Sequence, residues 1–342
     1  MANIYKTLSS DNITSTRTLL HENVPVTGAI VSGSTYSDSN IKNYSHGMFQ
    51  SVYDYPILSS SANHLFDLTC GYHTGSSSNS QNSKKMNVYG QMAQVLVGYD
   101  ANGDVRPFDQ DGNLSSGDKI NQAYFINLSR LLAKDEVRKG EFRLTVGTDD
   151  DYTDPFGELT VVGDYGAANV YRSNSPAGDY AVLYTSSATP NTGSGVGLLY
   201  YQAGVVVLTS SLFSGSAGGD AIQFNSALET VEAALTGTTI QANCDDIRHR
   251  FQNLVFDNTI ELNSTIYFCN ANHNEFNYSS NPTYLSESQI RVKDNPKQSP
   301  SSYITSVGLY STDNELLATA KLSEPLKKDP SSTLTLRVRL DY

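Results

Sequence analysis

The sequence predicts a β-dominated α+β protein, in which antiparallel sheets or a β-sandwich carry a few packed helices. Three observations lead there. The last third of the chain holds five strand candidates, at 264–270, 289–293, 303–310, 316–322 and 333–342. The last of these alternates strictly, with Leu334, Leu336, Val338 and Leu340 opposite Thr335, Arg337, Arg339 and Asp341, the period of a half-buried strand. The composition is polar and Tyr-rich: 22 Tyr, 12 Phe, no Trp, and 17% charged residues, below the roughly 25% of an average soluble domain.

Taken in order, residues 1–82 read as strands and long polar loops, with short apolar runs at 24–31 and 64–71. The loop 75–83 is a nearly featureless Ser/Asn tract. Next, Val88, Met92, Val95 and Leu96 fall at i, i+4, i+7 and i+8, which predicts a helix over 84–97 with Ser83 as N-cap and Gly98 as stop. Tyr124, Leu128, Leu131 and Leu132 repeat that spacing and predict a second helix within 121–139, before an alternating strand at 141–147. An acidic stretch then leads into strand-like runs at 159–162, 169–171, 180–185 and 197–209, which either extend the sheet or form an inserted lobe. A third helix is expected at 221–235, on Leu228, Val231 and Leu235, and a fourth at 245–255. Thr-Asp-Asn-Glu at 312–315 has the chemistry of a hairpin turn. The expected organisation is a mixed part of the core at 1–148, a β-rich inserted lobe at 149–218, and helices plus a C-terminal antiparallel sheet at 219–342.

Charge narrows the partners. Lys+Arg 23 against Asp+Glu 35 leaves a net charge of −12, the wrong sign for neutralising phosphates or an anionic membrane surface. Neither nucleic acid nor membrane is therefore expected as a partner. No run approaches the roughly 18 apolar residues of a membrane span. The N-terminal residues lack the basic and apolar regions of a secretory signal. Cys70, Cys244 and Cys269 are odd in number, without a CxxC spacing, and each lies in or beside an apolar or amphipathic stretch. Buried free thiols in a reducing cytoplasm are the expected reading.

Candidate chemistry is sparse. Asp100-Ala-Asn-Gly-Asp104, with Asp109 and Asp111, has the outline of a calcium loop. Its glycine is one position early, Pro107 interrupts it, and the twelfth position carries Asp in place of the bidentate Glu. Asp149, Asp150, Asp151 and Asp154 form a dense carboxylate group, but glycosidase chemistry needs carboxylates fixed on opposite walls of a cleft. The six histidines, His21, His46, His64, His73, His249 and His273, form no zinc spacing, although His64 and His73 flank Cys70. No nucleophile–base motif or phosphate loop appears, and no catalytic, cofactor or metal site is expected.

The most peculiar segment is 270–284, NANHNEFNYSSNPTY, which joins two strand candidates with Asn, His, Phe and Tyr. Such a loop either braces its own sheet or buries against a neighbour. The run NSTIYFCNANHNEFNYSSNPTYLSESQIRVK, followed by YITSVGLYSTDNELLATAKLSEPLKK and TLTLRVRLDY, resembles virion structural proteins of large contractile-tailed marine and cyanobacterial bacteriophages. The segments KKMNVYGQMAQVLVG, INLSRLLAKDEVRKGEFRLTVG, SPAGDYAVLY and VGLLYYQAGVVVL are similar to the same group, so the likeness spans roughly 50–342. The resemblance implies a non-enzymatic subunit of the tail, in the baseplate or in the neck and collar, assembled in the host cytoplasm with copies of itself and other virion proteins. It supplies no catalytic residues. A tail-associated hydrolase or depolymerase, using the acidic 149–154 turn, is the competing class. With assembly as the expectation, Phe276, Tyr278 and Tyr284 become candidate contact anchors, with His273 and Asn274 beside them, because aromatic side chains dominate interface energetics.

Overall fold

Apolar runs of Val, Leu, Ile, Phe and Tyr form strands covered on both faces, and in this chain they lie side by side. A computed structural model describes residues 5–26, 31–32, 35–36, 38–73, 80–114, 117–185, 195–215, 221–279, 281–286, 289–290 and 301–342. The chain divides into two compact units, Leu20–Ile260 and Met1–Leu19 with Glu261–Tyr342.

The larger unit is built on an eight-stranded antiparallel sheet. Its spatial order is Arg172–Ser175, Gly178–Leu183, Gly197–Tyr200, Val205–Thr209, Gln122–Leu128, His64–Tyr72, Gln50–Tyr53 and Ile41–Asn43. In the middle of the sheet Val207 faces Phe125 across one ladder, and Leu68 faces Ile126 across the next. Every residue of Val205–Thr209 is buried. Each such Val, Leu or Phe contributes about 1.5–3 kcal/mol relative to an exposed side chain.

Among the described residues four α-helices accompany this sheet: α1 (Ser80–Leu96), α2 (Arg130–Ala133), α3 (Val231–Gly237) and α4 (Ile240–His249). Helix α1 lies directly on the strand His64–Tyr72, and Gly71 makes this possible. A Cβ at Gly71 would sit 2.5 Å from the Lys85 carbonyl oxygen and 2.9 Å from the Tyr89 nitrogen. Tyr89 is buried with both of its hydroxyl roles used, donating to the Ile120 carbonyl at 2.6 Å and accepting the Phe108 N–H at 3.0 Å. The α1 helix stops where expected, with Gly98 at φ +84° and its N–H returning to the Ala93 carbonyl. Thr230 and Thr239 cap α3 and α4, each accepting a backbone N–H from the third residue onward. Lys85, fully buried, donates to the carbonyls of Leu235 and Thr238 and so caps the C-terminal end of α3 from within the core.

A second sheet begins with Arg143–Gly147, paired to Leu159–Gly163 and to the first part of the long strand Phe251–Ala271. Asp164, at the end of this sheet, is fully buried and accepts from the backbones of Gly140 and Phe142, the Tyr201 hydroxyl and the Arg143 guanidinium. Burial raises its carboxyl above the usual range, and these donors oppose the rise.

In the smaller unit, Ser264–Ala271 of the long strand runs antiparallel to Leu334–Asp341, from Ser264 opposite Asp341 to Ala271 opposite Leu334. Ser302–Tyr310 and Leu316–Lys328 form a two-stranded hairpin. Its turn uses the anticipated residues: Asn314 takes φ +64°, and Ser311 accepts the N–H groups of Asp313 and Glu315.

The β-dominated α+β fold with antiparallel sheets is as the sequence predicts. Several elements differ. The expected helix over 121–139 is a strand, Gln122–Leu128, followed only by the four-residue α2. The helix of 221–235 shortens to α3, and that of 245–255 shifts to α4 before the long strand starts at Phe251. Residues 169–171 lie outside any strand, leading from a turn into the strand Arg172–Ser175. Residues 149–218 contribute strands to both sheets of the larger unit, and the chain divides after residues 19 and 260. Strand pairing joins distant segments, so no change in texture along the sequence marks those divisions.

Candidate contact surface

The loop that follows the strand Phe251–Ala271 is held by side chains from three distant parts of the smaller unit. Asn272 to Glu275 closes a turn, with the Glu275 N–H on the Asn272 carbonyl. The Glu275 carboxylate accepts the Lys6 ammonium at 2.5 Å and the Asn272 N–H at 3.1 Å. Those donors, Lys6 foremost, hold its carboxyl below the usual glutamate range. Lys6 also donates to the Asn270 carbonyl at 2.7 Å.

The second clamp is Lys328, whose side chain is fully buried. Its ammonium donates to Asn277 Oδ1 at 2.7 Å, to the Asp329 carbonyl at 2.8 Å and to the His273 carbonyl at 3.4 Å. Three oxygens match the three N–H donors of an ammonium, which is what permits its burial. Asn277 turns back to donate to the same His273 carbonyl at 2.7 Å. Ser302 supplies the third clamp, its hydroxyl donating to the Phe276 carbonyl at 2.8 Å.

These clamps act on backbone carbonyls, the Glu275 carboxylate and the Asn277 amide, not on the rings. Phe276 is 48% exposed and Tyr278 45% exposed. Phe276 also takes φ +54°, a left-handed conformation that costs an L-residue about 1–2 kcal/mol. Strain of this sort persists only where surrounding bonds over-determine it. His273 and Asn274 are exposed on the same loop. The structure thus places four of the five candidate contact residues together; the side chain of Tyr284 lies outside the described residues. Lys6, Ser302 and Lys328 were not apparent from the sequence. A lysine ending a strand and followed by Asp gives no sign that it will be buried.

The other candidates resolve into local structure. The Asp100 carboxylate accepts the N–H groups of Asn102 and Asp104, which lowers its pKa and closes a turn. Asp109 pairs with Lys119. In the acidic stretch, Asp149 accepts the Asp151 N–H and Asp151 accepts both the N–H and hydroxyl of Thr153. The buried Arg250 donates to the carbonyls of Gly147, Asp149 and Gln223, anchoring the base of that stretch. His64 bonds Asp67 at 2.8 Å, whereas His73 packs edge-on against Tyr89. About 3.3 Å of rise per residue along the strand separates His64 from Cys70 by roughly 20 Å. Among the described residues no group of three or more His, Cys, Asp or Glu side chains is arranged to hold a metal ion.

All three cysteines are free; Cys70 and Cys244 are buried and Cys269 is half-buried. Burial pushes the Cys70 thiol up to about 12 and Cys244 well above its ordinary value. No helix among the described residues is long and apolar enough to cross a membrane. Compared with protein-family models, curated proteins and solved structures, the chain matches none.

Proposed function

We propose that this chain is a non-enzymatic structural subunit of a contractile-tailed bacteriophage virion, acting through protein–protein contacts in the tail baseplate, with the neck or collar as the alternative position. The observation that carries the reading is the loop 272–279. It is clamped by Lys6 through the Glu275 carboxylate, by Ser302 through the Phe276 carbonyl and by Lys328 through Asn277 and the His273 carbonyl, while the rings of Phe276 and Tyr278 stay outside. Large, rigid aromatic groups on a pre-ordered backbone lose little freedom on binding, and such anchors carry most of an interface's energy. The resemblance of the 263–342 segments to phage virion proteins supplies the kind of assembly.

The test is the double substitution Phe276→Ala with Tyr278→Ala. Both rings are exposed, so the melting temperature of the isolated subunit should hold while incorporation into particles falls. A lowered melting temperature with intact incorporation would sink the reading. The competing hydrolase reading gains little from Asp149 and Asp151, whose carboxylates are engaged in closing turns. Turnover of host envelope or polysaccharide that is abolished by Asp150→Asn would restore it. A map of the particle decides between baseplate and neck.

A further inference from the structure

We infer that the smaller unit, Met1–Leu19 with Glu261–Tyr342, is a self-association module whose partner is a second copy of this chain. The inference rests on the contact-making role proposed above and names the occupant of the surface.

The first observation is a missing core. Among the described residues of this unit the only buried hydrophobic side chain is Ala271. The alternating strand Leu334–Asp341 has an apolar face, yet Leu334, Leu336, Val338 and Leu340 are all only half-buried. The hairpin Ser302–Tyr310/Leu316–Lys328 fares no better, since Ser302 and Lys328 at its base are its only buried residues. An isolated two-stranded hairpin is marginal in water, and strands become stable by covering a hydrophobic face. Among the described residues of this unit that face is only half covered.

The second observation is area. Twelve of the 23 exposed large hydrophobic side chains among the described residues belong to this unit, which holds well under half of the chain. Six of the twelve are aromatic, a side chain that buries about 150–250 Å², and six are Leu or Ile; roughly half exposed, they total on the order of 1,000 Å², compared with about 800 Å² per partner in a stable interface. The strand Leu334–Asp341 also pairs on one side only, and the hairpin joins no other strand among the described residues. Open edges of this length are templates for pairing with another chain.

The third observation selects the occupant. The unit carries 10 acidic and 10 basic residues, for no net charge, whereas Leu20–Ile260 carries 25 acidic and 13 basic residues and the whole −12. Two copies therefore repel through their larger units and not through their smaller ones. A surface built to capture a charged partner carries the opposite sign, and a neutral one suits its own copy.

The experiment is sedimentation velocity of the full chain over a wide concentration range, at low and at high salt. Self-association should appear and should strengthen with salt, because salt screens the repulsion between the acidic units and leaves the apolar contact. Tyr310→Lys with Leu317→Lys changes two exposed hairpin positions and should weaken association at least about tenfold, as expected for interface anchors. Circular dichroism of the dilute variant should match the parent chain, and a variant with a lost fold is replaced by Tyr310→Ser with Leu317→Ser. A chain that stays monomeric at every concentration overturns the inference, as does a folded variant that associates like the parent. Particle incorporation is followed in parallel. A monomeric chain that still enters particles overturns self-association alone, and an associating chain that never enters them overturns the virion role alone.

Discussion

Asp246, on α4, sits where nearly everything opposes its charge. Burial is the largest effect, Asp245 and Glu229 add to it, and Arg250 offsets a part; the carboxyl is pushed up to about 7. The unfolded chain releases this proton near 3.8, so between those values the folded state holds a proton that the unfolded state has lost. Stability therefore falls as pH rises through that window and is level above it. Asp246→Asn removes the penalty, and urea unfolding should find the variant about 4 kcal/mol more stable than the parent at pH 8 and little changed at pH 4. Lys328 is the opposite case, a buried charge with all its bonds made. Lys328→Met should leave the Asn277 Oδ1 without its donor, at about 1–3 kcal/mol, and hydrogen exchange should quicken across 272–279 before anywhere in the eight-stranded sheet. Residues of this kind are invisible in the sequence because their partners arrive from far along the chain. Lys85 and α3 are one example, and Lys328 and Asn277 another.

At the scale of elements, the close packing of α1 on its strand rests on a single missing methyl. Gly71→Ala would drive a Cβ into backbone atoms of α1, which cannot swing aside as a side chain can. A loss of about 2–3 kcal/mol is expected in chemical denaturation, more than the roughly 1 kcal/mol expected for removing the α4 cap with Thr239→Ala. The elements that were legible share one property, an uninterrupted period. The strand Leu334–Asp341 alternates because only one of its faces is apolar, and α1 shows its i, i+4 spacing because one side faces the sheet. Gln122–Leu128 lies in the middle of the sheet with Ala123 to Ile126 and Leu128 all buried. A strand covered on both faces shows no alternation, so chance i, i+4 matches among its apolar residues imitated a helix.

For the whole molecule, two units of such different make-up should not melt as one. Calorimetry should resolve two transitions, with the lower one belonging to the smaller unit and rising with protein concentration as copies associate. A single concentration-independent transition would contradict both the division and the module. The candidate loop was legible as a segment, from its unusual Asn and aromatic content, but the exposure of its rings and its polar clamps were not. The free cysteines carry a practical consequence. Cys70 and Cys244 are sealed in the larger unit, whereas Cys269 lies opposite Leu336 in the strand ladder, on the half-covered apolar face. Directly opposed residues in a ladder point to the same side. A thiol-specific dye should therefore count one reactive group per native chain and three in urea, and tag the smaller unit without any engineering. Its rate of attachment would then serve as a built-in gauge of coverage, slowing as copies meet.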